Sequence, residues 1–214
     1  MIAVDDRTAL PFEFLAGHMA LDFTNTVGWG GESLSEERLD SYGRLLTWVK
    51  EARLPIDVGL LGQGARVEPK AASRVLSEAR ALRADLHELF HARSRAASLP
   101  TGLVDGLNRR LADARARIEL QEIHETGRAH LAWRVRNARA LDAPIHWIVW
   151  EAAALLATNE RIKRCANPNC GWVFLDHSRR GNRRWCDMAV CGSRHKARTY
   201  YRRQKRRALL QSPR

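Results

Sequence analysis

Residues 165–191 read CANPNCGWVFLDHSRRGNRRWCDMAVC and hold all four cysteines of the 214-residue chain. The cysteines form two C-x4-C pairs, with fifteen residues between Cys170 and Cys186. Zinc favours four ligands in a tetrahedron and binds thiolates well. The loop Ala166-Asn167-Pro168-Asn169 is rich in turn formers, because proline fixes φ and asparagine tolerates tight backbone. Gly171 follows, where a close backbone approach is expected. Two such pairs around a short insert predict one metal held by Cys165, Cys170, Cys186 and Cys191.

The insert has its own pattern. Trp172 and Phe174 alternate with Val173 and Leu175, as in a short strand. Residues 178–182, SRRGN, read as a turn. Arg183-Arg184-Trp185 is expected to return as the second strand of a hairpin. A helix is predicted from about Arg194 to Leu210. The order knuckle, hairpin, cysteine pair, helix is that of a treble clef. Thiolates at the helix start would also gain from the positive end of its dipole. Two disulfides would need an oxidising compartment, and the opening MIAVDDRTALPFEF lacks the apolar run of a signal peptide. The expected location is therefore cytoplasmic. A redox dithiol favours C-x-x-C, which is absent. Four thiolates leave no open position for zinc catalysis, so the ion is expected to be structural.

With these residues in view, 161–207 resembles the zinc finger of the CGNR family. The resemblance rests on Arg164-Cys165-Ala166-Asn167-Pro168, on residues 170–176 (CGWVFLD), on Arg183-Arg184-Trp185-Cys186, on Met188-Ala189 and on Cys191-Gly192-Ser193-Arg194. Ser193 stands where the naming motif Cys-Gly-Asn-Arg has asparagine. The family joins this finger to an N-terminal ABATE domain, which residues 21–27 (LDFTNTV) resemble at its opening. The resemblance implies a bacterial, stress-responsive transcription regulator.

Charge divides the chain in the same place. Sixteen of the 36 Lys and Arg and two of the 24 acids lie from Arg161 onward, a charge of +14 against −2 for the rest. Such asymmetry points to a polyanion partner for the C-terminal module. Candidate contacts are Arg179, Arg180, Arg183 and Arg184 in the insert, and Arg194, Lys196, Arg198, Arg202, Arg203 and Lys205 on the last helix. At 3.6 residues per turn, 194, 198, 202 and 205 share a face, flanked by 196, 203 and 207. Neutralising five to eight phosphates would give a log–log salt slope of about −4.5 to −7. Tyr200 and Tyr201 can stack on bases, or pack on Trp172 or Trp185. His195 is a candidate phosphate contact.

The first 160 residues read as a mainly helical domain. Residues 15–27 suit a short helix, with a strand as alternative, ended by Gly28-Trp29-Gly30-Gly31. Ser33 or Ser35 can cap a turn. Ser41–Ala52 is a helix with Leu45, Leu46, Trp48 and Val49 on its apolar face. Pro55 and the glycines at 59, 62 and 64 predict a loop. Lys70–Ala97 carries an apolar stripe through Val75, Ala79, Leu82, Leu86, Leu89 and Phe90. Leu103–Ala114 is helical. Ile118, Leu120 and Ile123, then Leu131, Trp133 and Val135 about a turn near Gly127, alternate as a β-hairpin. Asp142-Ala143-Pro144 starts an apolar helix reaching about Asn159. If that helix ran on into the cysteine loop it would fix the finger; a break would leave the finger mobile.

Two further constellations arise. His18, Asp22, Asn25 and Trp29 can line a pocket for a small-molecule effector, or Asp22 and Asn25 simply cap and bond backbone. His87-Glu88-Leu89-Phe90-His91 matches the H-E-x-x-H of zincin proteases, with Glu119, Glu122 or Glu125 as third ligand. Its flanks depart from that pattern, with Asp85 and Arg93 at positions that are usually uncharged.

The expectation is thus an α+β, mainly α chain. A helical domain with one β-hairpin (1–160) precedes a treble-clef-like four-cysteine finger with a basic helix (161–214). The function expected is zinc-dependent binding of duplex DNA in transcription regulation, without catalysis. RNA or ribosome binding is one alternative and a metalloenzyme centred on His87 the other. No apolar run approaches a membrane span.

Overall fold

The computed structural model describes residues 10–30, 33–125 and 128–211. The elements in chain order are α1 (Met19–Thr24), β1 (Val27–Gly30), β2 (Ser33–Glu37), α2 (Tyr42–Glu51), α3 (Val58–Val67), α4 (Pro69–Ser94) and α5 (Thr101–Arg115). Then follow β3 (Ile118–Glu125), β4 (Arg128–Val135), α6 (Ala143–Leu156), β5 (Ile162–Arg164), β6 (Val173–Leu175), a π-turn (Met188–Gly192) and α7 (Ser193–Gln211). The strands make three separate antiparallel pairs: β1–β2, β3–β4 and β5–β6. The chain is α+β and mainly helical, as expected.

The short α1 sits at the centre. Leu21 and Phe23 are fully buried, and the Phe23 ring meets Trp48 of α2 edge-on at 5.2 Å. The α4 stripe Leu82, Leu86, Leu89 and Phe90 and Ile148 of α6 complete this core. Ser41 caps α2 by accepting from the Arg44 amide at 3.1 Å. Hairpin β3–β4 pairs Ile118 with Val135 and Leu120 with Trp133, the register that the alternation predicts. Its turn residues Thr126 and Gly127 lie outside the described residues.

Four expectations are corrected. Residues 58–67 form helix α3 and not a loop. Each interior glycine costs a helix about 1 kcal/mol, but Asp57 accepts from the Gly59 and Leu60 amides and Leu61 is fully buried. Tertiary burial and a good cap outweigh local propensity. Residues 33–37 form a strand that continues a bulged hairpin with β1, not a capped turn. Glu37, at its end, is held two-pronged by buried Arg83 at 2.5 and 2.7 Å.

The third correction concerns the finger itself. Residues 183–185 form no strand; β6 pairs with β5, which precedes the first cysteine, with Ile162 opposite Leu175 and Arg164 opposite Val173. Arg183 instead lays its guanidinium over Phe174 at 4.3 Å and donates to the carbonyls of Leu15, Leu175, Trp185 and Cys186. Both edges of β6 are taken, one by β5 and the other by Asn25 and Ala16, which bond Val173 and Leu175. The expected turn at 178–182 is present, with Gly181 at φ +60°. Fourth, α6 stops at Leu156, short of the cysteine loop, yet the finger is not set adrift by this break. Its strands are stitched laterally to α1 and α4 by the contacts described next.

Candidate metal centre and nucleic-acid interface

Cys165 follows β5 and Cys170 precedes β6, so the strand pair brings both ends of the first knuckle together. The Cys165 amide donates to Trp172 O at 2.9 Å, and the Cys170 amide to Asn167 O at 2.9 Å. Cys186 follows Trp185. Cys191 lies in the π-turn, which Asp187 caps by accepting from the Ala189 and Val190 amides. The four sulfurs lie within 4.8 Å of one another, and this is the one such group of metal-ligating atoms found among the described residues. The Cys170–Cys186 and Cys186–Cys191 sulfur separations are 3.7 and 3.6 Å. A tetrahedron with Zn–S bonds of ~2.3 Å has an edge of ~3.8 Å, whereas a disulfide needs ~2.05 Å. The donors therefore fit one zinc ion and not a pair of disulfides.

Electrostatics agree. Sulfhydryl groups of Cys170 and Cys186 point at Cys165 and hold its thiol far below the ordinary range, while the same coupling drives Cys170 and Cys186 up. One thiolate is easy in this crowd and four are not. A divalent cation removes that repulsion, which is why four sulfurs this close imply a metal.

Sequence reasoning missed the polar residues that frame the ligands. Asn167, 2% exposed, accepts from the Asn169 amide at 3.2 Å and donates to Cys191 Sγ at 3.4 Å, so it joins the first knuckle to the second. Its position between Cys165 and Pro168 was the available signal. Asp176 accepts from Lys163 at 2.7 Å and from the Ser178 hydroxyl and amide and the Arg183 amide. Burial pushes its carboxyl up, but Lys163 and Ser178 outweigh this and hold it well below the usual carboxylate range.

Three of the four residues proposed as a ligand pocket are spent on structure. Asn25 replaces a strand: its Nδ2 donates to Val173 O at 2.9 Å and its Oδ1 accepts from Val173 N at 3.1 Å. Asp22 accepts from the Ala16 amide at 2.9 Å. His18 caps α1 and lies 3.6 Å from Glu151. The Trp29 side chain lies outside the described residues. The bonds to backbone, offered as the alternative reading of Asp22 and Asn25, are what the structure contains.

Further links run from the first 160 residues into the finger. Trp172 Nε1 donates to Val27 O at 2.9 Å, Leu175 N donates to Ala16 O at 2.7 Å, and Arg38 lies over the Trp172 ring at 5.4 Å. Gly17 has φ +83°, and a Cβ there would meet Leu175 and His177 at 3.3–3.4 Å, so glycine is required where α1 approaches the finger. The H-E-x-x-H motif belongs to this same seam. His87 Nε2 is 3.0 Å from Gly171 O. A carbonyl only accepts, so Nε2 carries the proton, and burial lowers the pKa of the ring. His91 stacks on His87 at 5.6 Å, and Glu119, a suggested third ligand, is bonded to Arg136 at 2.8 Å. Among the described residues no third ligand joins these histidines.

Asp22 gives a pH prediction. Burial pushes its pKa up to about 6 against backbone donors from Ala16 and Leu15 that lower it. The raised value means that the folded state binds the proton more tightly, so this stabilisation is complete at low pH and is lost as pH rises through 6. Between pH 8 and 5.5 the stability of the wild type should gain on that of Asp22→Asn by about 1 kcal/mol. Paired denaturant titrations at the two pH values measure it, and a pH-independent difference would refute the assignment.

Of the proposed nucleic-acid contacts, Arg179, Arg180, Arg184, Arg194, Lys196, Arg202 and Arg203 are exposed. Arg183 is not available, being anchored as described. Arg198 is half-buried and donates to Asn167 Oδ1 at 2.5 Å. The Lys205 side chain lies outside the described residues. His195, the expected phosphate contact, instead packs on Trp185 at 4.8 Å. Tyr200 and Tyr201 pack on neither tryptophan; they are 59% and 70% exposed and meet each other edge-on.

Comparison with protein families matches residues 161–204 to the CGNR zinc finger and residues 17–159 to ABATE, described as "Putative stress-induced transcription regulator". Comparison with curated proteins finds no match. Among the described residues no helix is long and apolar enough to cross a membrane. The two matches lie in the order that the resemblance implied, the ABATE match spans most of the chain, and the protein therefore belongs to the ABATE family and carries a CGNR zinc finger.

Proposed function

We propose that the protein is a transcription regulator that binds duplex DNA through its zinc-ordered C-terminal module, and that it is not an enzyme. One observation carries this reading: an excess charge of +14 is confined to residues 161–214, and its exposed arginines flank a metal-ordered turn. The ion is structural, since four thiolates close its coordination. The first 160 residues act as the sensing body. A cavity of about 270 Å³ between Glu36, Arg38, Trp172 and Arg194 is lined also by Cys170, Cys186 and Cys191, at the seam where an effector would be felt by both parts.

The test is duplex binding by the purified protein across a salt series, with metal content read on the same sample. The expected result is one zinc per chain and a log–log slope of about −4.5 or steeper, both lost on chelation. Binding that ignores zinc would overturn the reading. The exposed Tyr200 and Tyr201 favour a second reading, stacking on unpaired RNA bases. Tighter binding to structured RNA than to duplex DNA at equal salt would select it.

A further inference from the structure

Helix α7 has two unlike sides. His195, Arg198 and Thr199 are half-buried, and the first two touch Trp185 and Asn167. Their i, i+3, i+4 spacing makes them one face, turned to the body. At ~100° per residue, the opposite side is Ala197, Tyr200 and Gln204, all exposed. From Ala197 to Gln204 no charge stands on this outward stripe, although three of those eight residues are arginine. The cations lie beside it: Lys196 and Arg203 on one flank, Arg194 on the other.

A helix that only bound phosphate would have no reason to keep its outermost line neutral. Phosphates form the walls of the major groove, and base edges form its floor. A helix of ~10–12 Å diameter fits a groove of ~12 Å. From Tyr200 to Gln204 every residue is exposed, so this part of α7 stands clear of the body.

We infer that Ala197, Tyr200 and Gln204 form a base-reading stripe for A·T pairs in the major groove, with Lys196, Arg203 and Arg194 on the flanking phosphates. This rests on the duplex-DNA reading above. Gln204 has the two-pronged amide that matches adenine N6 and N7, and Ala197 the methyl that suits contact with the thymine methyl. Tyr200, braced edge-on by Tyr201, fills the stripe between them. Ala197 and Gln204 are two turns apart, ~10.5 Å along the axis, which spans ~3 base-pair steps. The site should therefore hold a thymine contact and an adenine contact about three steps apart.

The experiment uses the full-length, zinc-loaded protein and a pool of random duplexes. Selected duplexes should share A·T pairs at that separation. Gln204→Ala should lower the preference for the selected duplex over its adenine-swapped version about ten- to hundredfold, with non-specific affinity and salt slope unchanged. Lys196→Ala should weaken both duplexes alike and flatten the slope by about one. If the wild type discriminates but Gln204→Ala discriminates equally well, the stripe does not read bases. If the wild type binds every duplex alike, this inference fails and the DNA reading survives. If it binds no duplex, the DNA reading itself fails.

Discussion

Replacing Cys186 by serine, or removing zinc with a chelator, is expected to unfold the finger and to loosen the N-terminal core with it. Structural zinc supplies about 10–16 kcal/mol to isolated finger peptides, as much as or more than the ~5–15 kcal/mol that holds an ordinary domain. In an autonomous finger that loss would stay local. Here β6 is bonded to Asn25, Ala16 and Arg183, and Trp172 to Val27. Without the metal the crowded thiols repel, β6 loses its frame and α1 loses the surface it is tied to. Hydrogen exchange measured with and without zinc should show protection lost at 173–175 and also at 19–24. Retention of full protection in α1 after zinc removal would show that the two parts fold independently.

The second large effect comes from a residue far from any cysteine in sequence. Asn25→Ala removes two buried hydrogen bonds and leaves the N–H and C=O of Val173 without partners. Each buried orphan costs about 1–3 kcal/mol, so a loss of about 3 kcal/mol is expected. Because Val173 is the third residue after Cys170, zinc should also be released faster to a competing chelator. The variant Asn25→Asp separates geometry from chemistry: it keeps the acceptor for Val173 N but sets a second, acceptor-only oxygen against Val173 O in a buried site, and at neutral pH should be at least as destabilised as alanine. An Asn25→Ala protein of wild-type stability and zinc retention would mean that the seam holds no energy.

The sequence by itself determined whatever depends on neighbours in the chain. The zinc site follows from four thiols at short spacing, and the turn at 178–182 from its own residue types. Helices α2, α4, α5 and α6 follow from 3.6-residue periodicity, and hairpin β3–β4 from alternation. The charge split was equally visible, since it needs only counting. Only the tertiary structure decided the rest, for one physical reason: the deciding bonds join residues with no local relation. Asn25 and Val173 are 148 positions apart, as are neither turn nor helix partners, and His87 and Gly171 are 84 apart. Arg183 looked like a phosphate contact because a solvent-facing arginine and one holding four backbone carbonyls are the same letter. The glycines of α3 looked like a loop because propensity omits Leu61's burial. The strand partner of β6 lay before the first cysteine, not after the turn, because Asn25 and Ala16 close its other edge. In α7 the sequence supplied the cations, but the contacts of His195 and Arg198 with the body decided which stripe faces outward.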